Sequence, residues 1–132
     1  MFIRNSNIIR SDLALLSNLT QLTFLDLSSN NFSSHILSSL ENLVQLIQLN
    51  LLNNNLNSEI PSSLGNLVQL HFLYLYSNKF MGRVLDFLGG LVNLSYLDLS
   101  NNQLVGSIHS QLNTIESKIN NFFSTKVIDI VS

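Results

Sequence analysis

The side chains with chemical potential in this chain are few: carboxylates, three histidines, three tyrosines and a regularly spaced set of asparagines. Their spacing decides which chemistry is open to them. Asp26 and Asp98 stand at equivalent points of a repeat, three periods apart. On a parallel sheet that separation is roughly 14 Å at ~4.8 Å per strand. A glycosidase pair works at ~5–9.5 Å, so these carboxylates cannot share a glycosidic bond. His35, His71 and His109 show no metal-ligand spacing of the H-x-x-x-H kind. His71 falls beside Ser95 on the neighbouring strand, but no acid is placed to orient the imidazole for nucleophilic catalysis. The absence of cysteine removes thiolate metal sites, disulfides and a cysteine nucleophile together. No glycine-rich phosphate cradle and no basic patch is present. The expectation is a non-enzyme with no cofactor and no metal.

What remains is spacing itself. Leu22, Leu46, Leu70 and Leu94 lie 24 residues apart, as do Leu25, Leu49, Leu73 and Leu97, and Leu27, Leu51, Leu75 and Leu99. Asn30, Asn54, Asn78 and Asn102 keep the same period. Self-similarity at this length is the mark of a solenoid, in which each unit buries its apolar face only against its neighbours. The second unit runs Leu43, Leu46, Leu49, Leu51, Asn54, Leu56, Ile60. Within it Leu49-Asn50-Leu51 alternates apolar and polar, a strand signal. The strand recurs one period later in the same direction, so the strands pair in parallel and the rest of each unit crosses back on the far side.

A polar column among leucines is costly unless its hydrogen bonds are made. Asn30, Asn54, Asn78 and Asn102 are therefore expected to point inward as a structural ladder, bonding the backbone where the chain leaves each strand. In the crossing segments Ser38 and Glu41 have the S-x-x-E spacing of a capping box, and Ser62-Ser63-Leu64 opens the next crossing. Gly82 and Gly106 share a turn position suited to glycine. Pro61, the only proline, follows Ile60.

Composition agrees with a neutral binding surface. Charged residues make up 11% of the 132 residues and the net charge is −2. No long-range attraction to nucleic acid or an anionic membrane follows. The first residues do not read as a signal peptide, since Arg4, Asn5, Ser6 and Asn7 interrupt any apolar run. No window approaches the ~18 apolar residues of a membrane span.

These motifs resemble the plant-specific class of leucine-rich repeat. Asn54 through Pro61 (N-N-L-N-S-E-I-P) and Asn102 through Ile108 (N-Q-L-V-G-S-I) match its second half. Leu64-Gly65-Asn66-Leu67 and Leu97-Asp98-Leu99-Ser100-Asn101-Asn102 match its first half. The resemblance implies an α/β-type leucine-rich repeat solenoid, a curved right-handed coil. Its parallel β-sheet would line the concave face, with turns and 3₁₀ segments on the convex face. It also implies a receptor-like protein or receptor-kinase ectodomain on the extracellular side of the plasma membrane. Such a chain would bind a protein or peptide and engage a co-receptor. Without a leader or a span of its own, the chain expressed as it stands would remain in the cytoplasm.

We read residues 1–132 as a single domain: a partial repeat over 1–12, about four full repeats over 13–112, and a degenerate last repeat over 113–132. Met1, Ile3 and Ile8 continue the register backwards. Val127-Ile128-Asp129-Ile130-Val131 resembles Tyr96 through Ser100, which predicts a further strand over 126–131. Ile115, Ile119, Phe122 and Phe123 have helical spacing between them.

The outward strand positions form three columns: Phe24, Gln48, Phe72, Tyr96; Asp26, Asn50, Tyr74, Asp98; and Ser28, Leu52, Tyr76, Ser100. Aromatic-Leu-Asp-Leu-Ser is common in the family, so the residues that break this pattern carry more information. The ligand-binding candidates are Leu52, His71, Phe72, Tyr74, Tyr76 and Tyr96, with tyrosine as the anchor chemistry of interfaces. Asn18, Asn31 and Asn93 head N-x-S/T sequons, of use only in the secretory path. Two other readings stay open beside receptor-type recognition: a truncated gene product without independent function, and a secreted inhibitor of a cell-wall-degrading enzyme. Both ends stop without a polar capping unit, and repeat arrays need caps for solubility. The isolated chain is therefore expected to self-associate, with light scattering giving a mass above the monomer's; a monodisperse monomer would contradict this.

Overall fold

The computed structural model describes residues 1–3, 15–33, 36–83 and 85–105. Strands β1 (Phe24–Asp26), β2 (Gln48–Asn50), β3 (Phe72–Tyr74) and β5 (Tyr96–Asp98) form a parallel sheet in the order β1-β2-β3-β5. The sequence period becomes the sheet register: Leu25 pairs with Leu49, Leu49 with Leu73, and Leu73 with Leu97. Main-chain bonding continues past the strands, as in Leu51 N–H to Tyr74 O at 2.8 Å and Ser77 N–H to Ser100 O at 3.1 Å. On the other side of β1, Phe2 forms a parallel bridge with Asp26. The same spacing therefore holds back to the first residues.

Alternation along each strand sends the leucines to one side, where they stack column on column. Leu49, Leu51, Leu73 and Leu75 are completely buried, as are Leu43, Leu46, Leu67 and Leu70 from the approach to each strand. Fully burying one such side chain contributes about 1.5–3 kcal/mol. Leu22, at the start of its column, is only partly buried against this core.

The crossing segments are short and differ in kind: helix α1 (Ile36–Leu40), a 3₁₀ helix (Ser62–Asn66) and helix α2 (Leu85–Leu88). Pro61 precedes the 3₁₀ helix in extended conformation, φ −69° and ψ 145°. Proline suits that entry because its fixed φ matches and no N–H is wasted. Ser38 does not hold the N-cap position that the expected capping box with Glu41 requires. Helix α1 begins at Ile36, which leaves Ser38 inside it. The cause is the core: Ile36, Leu37 and Leu40 are buried, and turning them inward starts the helix before the serine.

A second sheet lies outside the sequence reading, which expected only turns and 3₁₀ segments on this side. Strand β4 (Met81–Arg83) pairs in parallel with β6 (Gln103–Val105), and Glu59 bridges to Met81. The pairing joins Gly82 to Leu104, an offset of 22 residues (104 − 82). It differs from the main sheet's offset by two, one full pleat, so equivalent side chains still face the same way. Gly82 holds φ +82°, a left-handed value that glycine adopts without penalty. The further strand expected over 126–131, the helical spacing from Ile115 to Phe123, and Ile8, His35, Gly106 and His109 lie outside the described residues.

Successive crossings touch backbone to backbone at one point. A Cβ added to Gly90 would clash with the carbonyl oxygen of Gly65 and stand 2.8 Å from its Cα. Backbone atoms cannot move aside cheaply, whereas a Cβ on Gly89 would meet nothing within 4 Å. Gly90→Ala is therefore expected to lose about 1–3 kcal/mol of stability, the usual cost of overpacking, while Gly89→Ala stays within ~1 kcal/mol of the parent. Denaturant unfolding of the two variants side by side checks this.

Candidate functional site

Three residues past the end of each main strand the chain makes a left-handed turn. Ser29, Asn53, Ser77 and Asn101 all take left-handed φ, between 53° and 55°. That conformation costs a non-glycine residue roughly 1–2 kcal/mol, and in every unit it stands directly before a ladder asparagine. The amide of Asn78 shows why the turn persists. Its Nδ2 donates to Leu75 O at 3.2 Å within its own coil and to Leu51 O at 2.9 Å in the preceding one. Its Oδ1 accepts the Leu56 N–H at 3.1 Å. Asn54 repeats this with Leu51 O, Leu27 O and the Phe32 N–H. Asn102 does so with Leu99 O, Leu75 O and the Phe80 N–H. Asn30 donates to Leu27 O and, across the coil boundary, to Ile3 O at 2.8 Å.

Beyond this turn, the outward columns divide in two. The sequence reading treated all three as displayed surface. The structure corrects this at Asp26, Asn50, Asp98, Ser28 and Ser100, all of which are buried. The first residue of each pair folds back on the second. Asp26 Oδ1 accepts from the Ser28 N–H at 3.0 Å and its hydroxyl at 2.6 Å. Asp98 does the same with Ser100, at 3.1 and 2.6 Å. Asn50 Oδ1 accepts the Leu52 N–H at 3.1 Å, and its Nδ2 donates to Asp26 Oδ2 at 3.2 Å. These are Asx turns. The D-x-S spacing at 26–28 and 98–100 was their signal, but alternation alone marks a side of the sheet rather than exposure.

The third unit departs from this scheme. Tyr74 and Tyr76 occupy the two turn positions and both are half-buried. Tyr74 packs on Tyr96 with ring centroids 4.9 Å apart and planes tilted by 37°. The Tyr74 phenol is held above its ordinary pKa by burial first, then by the nearby Tyr96 and Asp98. Phe72, 38% exposed, extends the aromatic surface beside Tyr96, and Phe24, 47% exposed, stands two strands away beyond Gln48. Leu52 is half-buried on the neighbouring coil. His71 donates from Nδ1 to the Gln69 carbonyl at 2.8 Å, and its own carbonyl accepts the Ser95 and Tyr96 N–H groups. Its ring lies 6.5 Å from Phe72. Ser95 meets His71 only through this backbone contact in the bonds described, its hydroxyl donating to Asn93 O at 3.4 Å.

The sequon asparagines Asn18, Asn31 and Asn93 are exposed. Asn93 also donates from Nδ2 to Val68 O at 2.7 Å, tying two coils. Among the described residues no cluster of potential metal ligands occurs, and no helix is long and apolar enough to cross a membrane.

The model of the family described as Leucine Rich Repeat matches residues 21–43, 45–67 and 93–115, more than half of the chain. The chain belongs to the leucine-rich repeat family. Comparison with curated proteins gives no match. Among solved structures, the leucine-rich repeat ectodomain of the receptor kinase SOBIR1 from Arabidopsis thaliana is similar. It has 33% identity and a TM-score of 0.70, covering 76% of this chain and 54% of that one. The Arabidopsis receptor kinase HAESA, solved with the peptide hormone IDA and the co-receptor SERK1, has 40% identity and a TM-score of 0.68, covering 82% and 18%. The plant peptide hormone receptor RGFR1, in complex with RGF2, has 37% identity and a TM-score of 0.67, covering 70% and 15%. The chain thus spans about half the length of the first and under a fifth of the other two. Its leucine-rich repeats are of the kind found in plant receptor-kinase ectodomains, and it corresponds to a segment of one. The fold is a solenoid with a parallel sheet, an architecture that typically serves as a non-catalytic binding module.

Asn78 is the most buried of the ladder amides, 8% exposed, so it gives the cleanest test. Asn78→Ala strands the Leu56 N–H and takes one of two amide donors from each of the Leu51 and Leu75 carbonyls, and is expected to lose about 1–3 kcal/mol. Unchanged stability in denaturant unfolding would show that the ladder is dispensable.

Proposed function

We propose that this chain is a non-catalytic recognition module of a plant receptor-like leucine-rich repeat protein, binding a protein or peptide on the concave face of its sheet. One observation carries the reading. Three of the four strand ends use their outward pair to close an Asx turn, at Asp26, Asn50 and Asp98. The third unit gives this up and presents Tyr74 and Tyr76 instead. A stabilising turn replaced by two half-exposed phenols at the middle of a sheet is better explained by contact with something else than by the fold. Tyrosine supplies large contact area with little side-chain entropy to lose.

Leu52, His71, Phe72, Tyr74, Tyr76 and Tyr96 form the proposed contact surface. Residues 1–132 act as one domain, with four full repeats over 13–112. The peptide hormones bound to HAESA and RGFR1 support a peptide ligand, and SERK1 in the HAESA complex supports a co-receptor as a further partner. The corresponding location is the extracellular side of the plasma membrane, where Asn18, Asn31 and Asn93 are open to glycosylation.

Selection of a random heptapeptide library on the immobilised chain tests the reading. Binders are expected whose affinity falls about 30-fold or more in the Tyr74→Ala/Tyr76→Ala variant, as for paired interface hot spots. Thermal unfolding serves as the check that the variant folds. Binders indifferent to both tyrosines would place recognition elsewhere and overturn the proposal.

A further inference from the structure

We propose that the backbone N–H of Tyr76 is a subsite of the concave face that takes the side-chain carbonyl oxygen of an asparagine or glutamine in the bound peptide. This rests on the recognition reading above and names a group that the ligand must bring.

At the other three strand ends the equivalent N–H is served from inside the chain. Ser28, Leu52 and Ser100 donate to Asp26, Asn50 and Asp98 at 3.0, 3.1 and 3.1 Å. The need arises from the asparagine ladder. The Tyr74 and Tyr76 carbonyls accept from the Leu51 and Asn53 N–H groups, so continued parallel pairing would aim the Tyr76 N–H at Leu51 O. That carbonyl already accepts from the Asn54 and Asn78 amides, at 3.0 and 2.9 Å, which occupies both of its lone pairs. The third unit lacks the substitute as well, because a tyrosine at position 74 carries no acceptor that reaches the residue two on. Among the described residues the Tyr76 N–H has no acceptor.

Tyr76 is half-buried, and an unpaired main-chain donor at such a place is uncommon in a folded chain. The Tyr74 ring leans away from it. That ring packs on Tyr96, which is paired with Phe72, so it tilts toward the start of the strand and leaves the side of the N–H open. The donor lies at the base of the face, between two rings that project from the strand. A ligand main chain resting on those rings stays above it. A ligand side chain reaches down between them, as Asn50 reaches the Leu52 N–H within its own unit.

The internal solutions indicate which side chain. Aspartate is used where the residue two on is serine, whose hydroxyl is a second donor at 2.6 Å. Asparagine is used where that residue is leucine and its N–H alone donates. Tyr76 has the second arrangement, since its phenol oxygen cannot fold back to its own N–H. One neutral donor compensates a carboxamide oxygen, whereas a carboxylate brought to the same place costs far more to desolvate.

Amide hydrogen exchange on the full chain, free and with the selected heptapeptides, tests this. In the free chain the Tyr76 amide is expected to be about ten-fold or more less protected than that of Leu52. Equal protection would mean that the N–H is already bonded, and overturns the subsite without any variant. The selected peptides are expected to share one asparagine or glutamine and to raise the protection of Tyr76 about ten-fold. Changing that residue to alanine should weaken binding about ten-fold, the upper range for one hydrogen bond. Tyr74→Asn restores the internal acceptor, whereas Tyr74→Ala removes the same ring and supplies none. The asparagine variant should therefore bind the peptides about five-fold more weakly than the alanine variant. Equal binding by the two, each shown to be folded by thermal unfolding, overturns the subsite. Peptides that depend on Tyr74 and Tyr76 but share no carboxamide, or leave Tyr76 exchange unchanged, overturn the subsite and leave recognition standing. An absence of tyrosine-dependent binders overturns both.

Discussion

A single side-chain amide per coil is the constraint on which the rest of the structure depends. Each ladder asparagine joins backbone groups of its own turn to backbone groups of the preceding coil, as Asn78 does with Leu75, Leu51 and Leu56. No apolar residue could occupy the column, because the strand has to end there and its last carbonyls need donors. Aspartate would lack the donor and lysine the acceptor. Asparagine alone of the small residues offers both ends of the bond at the right reach. It also holds the preceding residue in the left-handed conformation that turns the chain out of the sheet. The period of the sequence is thus enforced at the polar column as much as at the leucines. A residue inserted between Leu75 and Asn78 would carry the amide off its partners and shift the stack of Leu73 on Leu97.

The outer face is governed by a competition for the same positions. The last residue of a strand can close an Asx turn, which strengthens the coil, or it can be displayed. Asp26, Asn50 and Asp98 close the turn; Tyr74 does not. Asn50 goes further and reaches Asp26 on the adjacent strand, so the first two units are cross-tied on this face as well as through the core. The weaker tie at the third unit is offset in part by ring packing between Tyr74 and Tyr96, worth about 0.5–1.5 kcal/mol beyond the area it buries. Stability and display are therefore exchanged locally, at one unit, without disturbing the core columns behind it.

What could be read from the residues follows the same division. The core was legible because 24-residue recurrence of leucine has one inexpensive explanation, and the structure pairs Leu25, Leu49, Leu73 and Leu97 as that recurrence requires. The capping box was misread because S-x-x-E spacing is a local rule. In a five-residue helix the burial of Ile36, Leu37 and Leu40 outweighs it. The second sheet left little trace, since Met81-Gly82-Arg83 and Gln103-Leu104-Val105 bury one residue each at most and pair chiefly through backbone. The division of the outer face into turn-closing and displayed residues needed coordinates. Alternation shows that Asp26 and Tyr74 share a side of the sheet; only the Ser28 hydroxyl 2.6 Å from Asp26 shows that one of them is already occupied.

The same geometry explains why a sheet of this kind suits recognition. Its strands are three residues long, paired on both sides in the interior of the array, and backed by buried leucines. Displayed side chains stand on a backbone that has nowhere to move, so little ordering entropy remains to be lost on binding. Columns of the face run across coils rather than along the chain. An extended ligand lying over them meets residues 24 apart in sequence and adjacent in space, such as Phe72 beside Tyr96 and Tyr74 beside Asp98. Each contact can then change by a single substitution at an outward position. The limit on such change is physical: a position already holding an Asx turn can be altered only by giving up that turn, and the third unit is where this chain has done so.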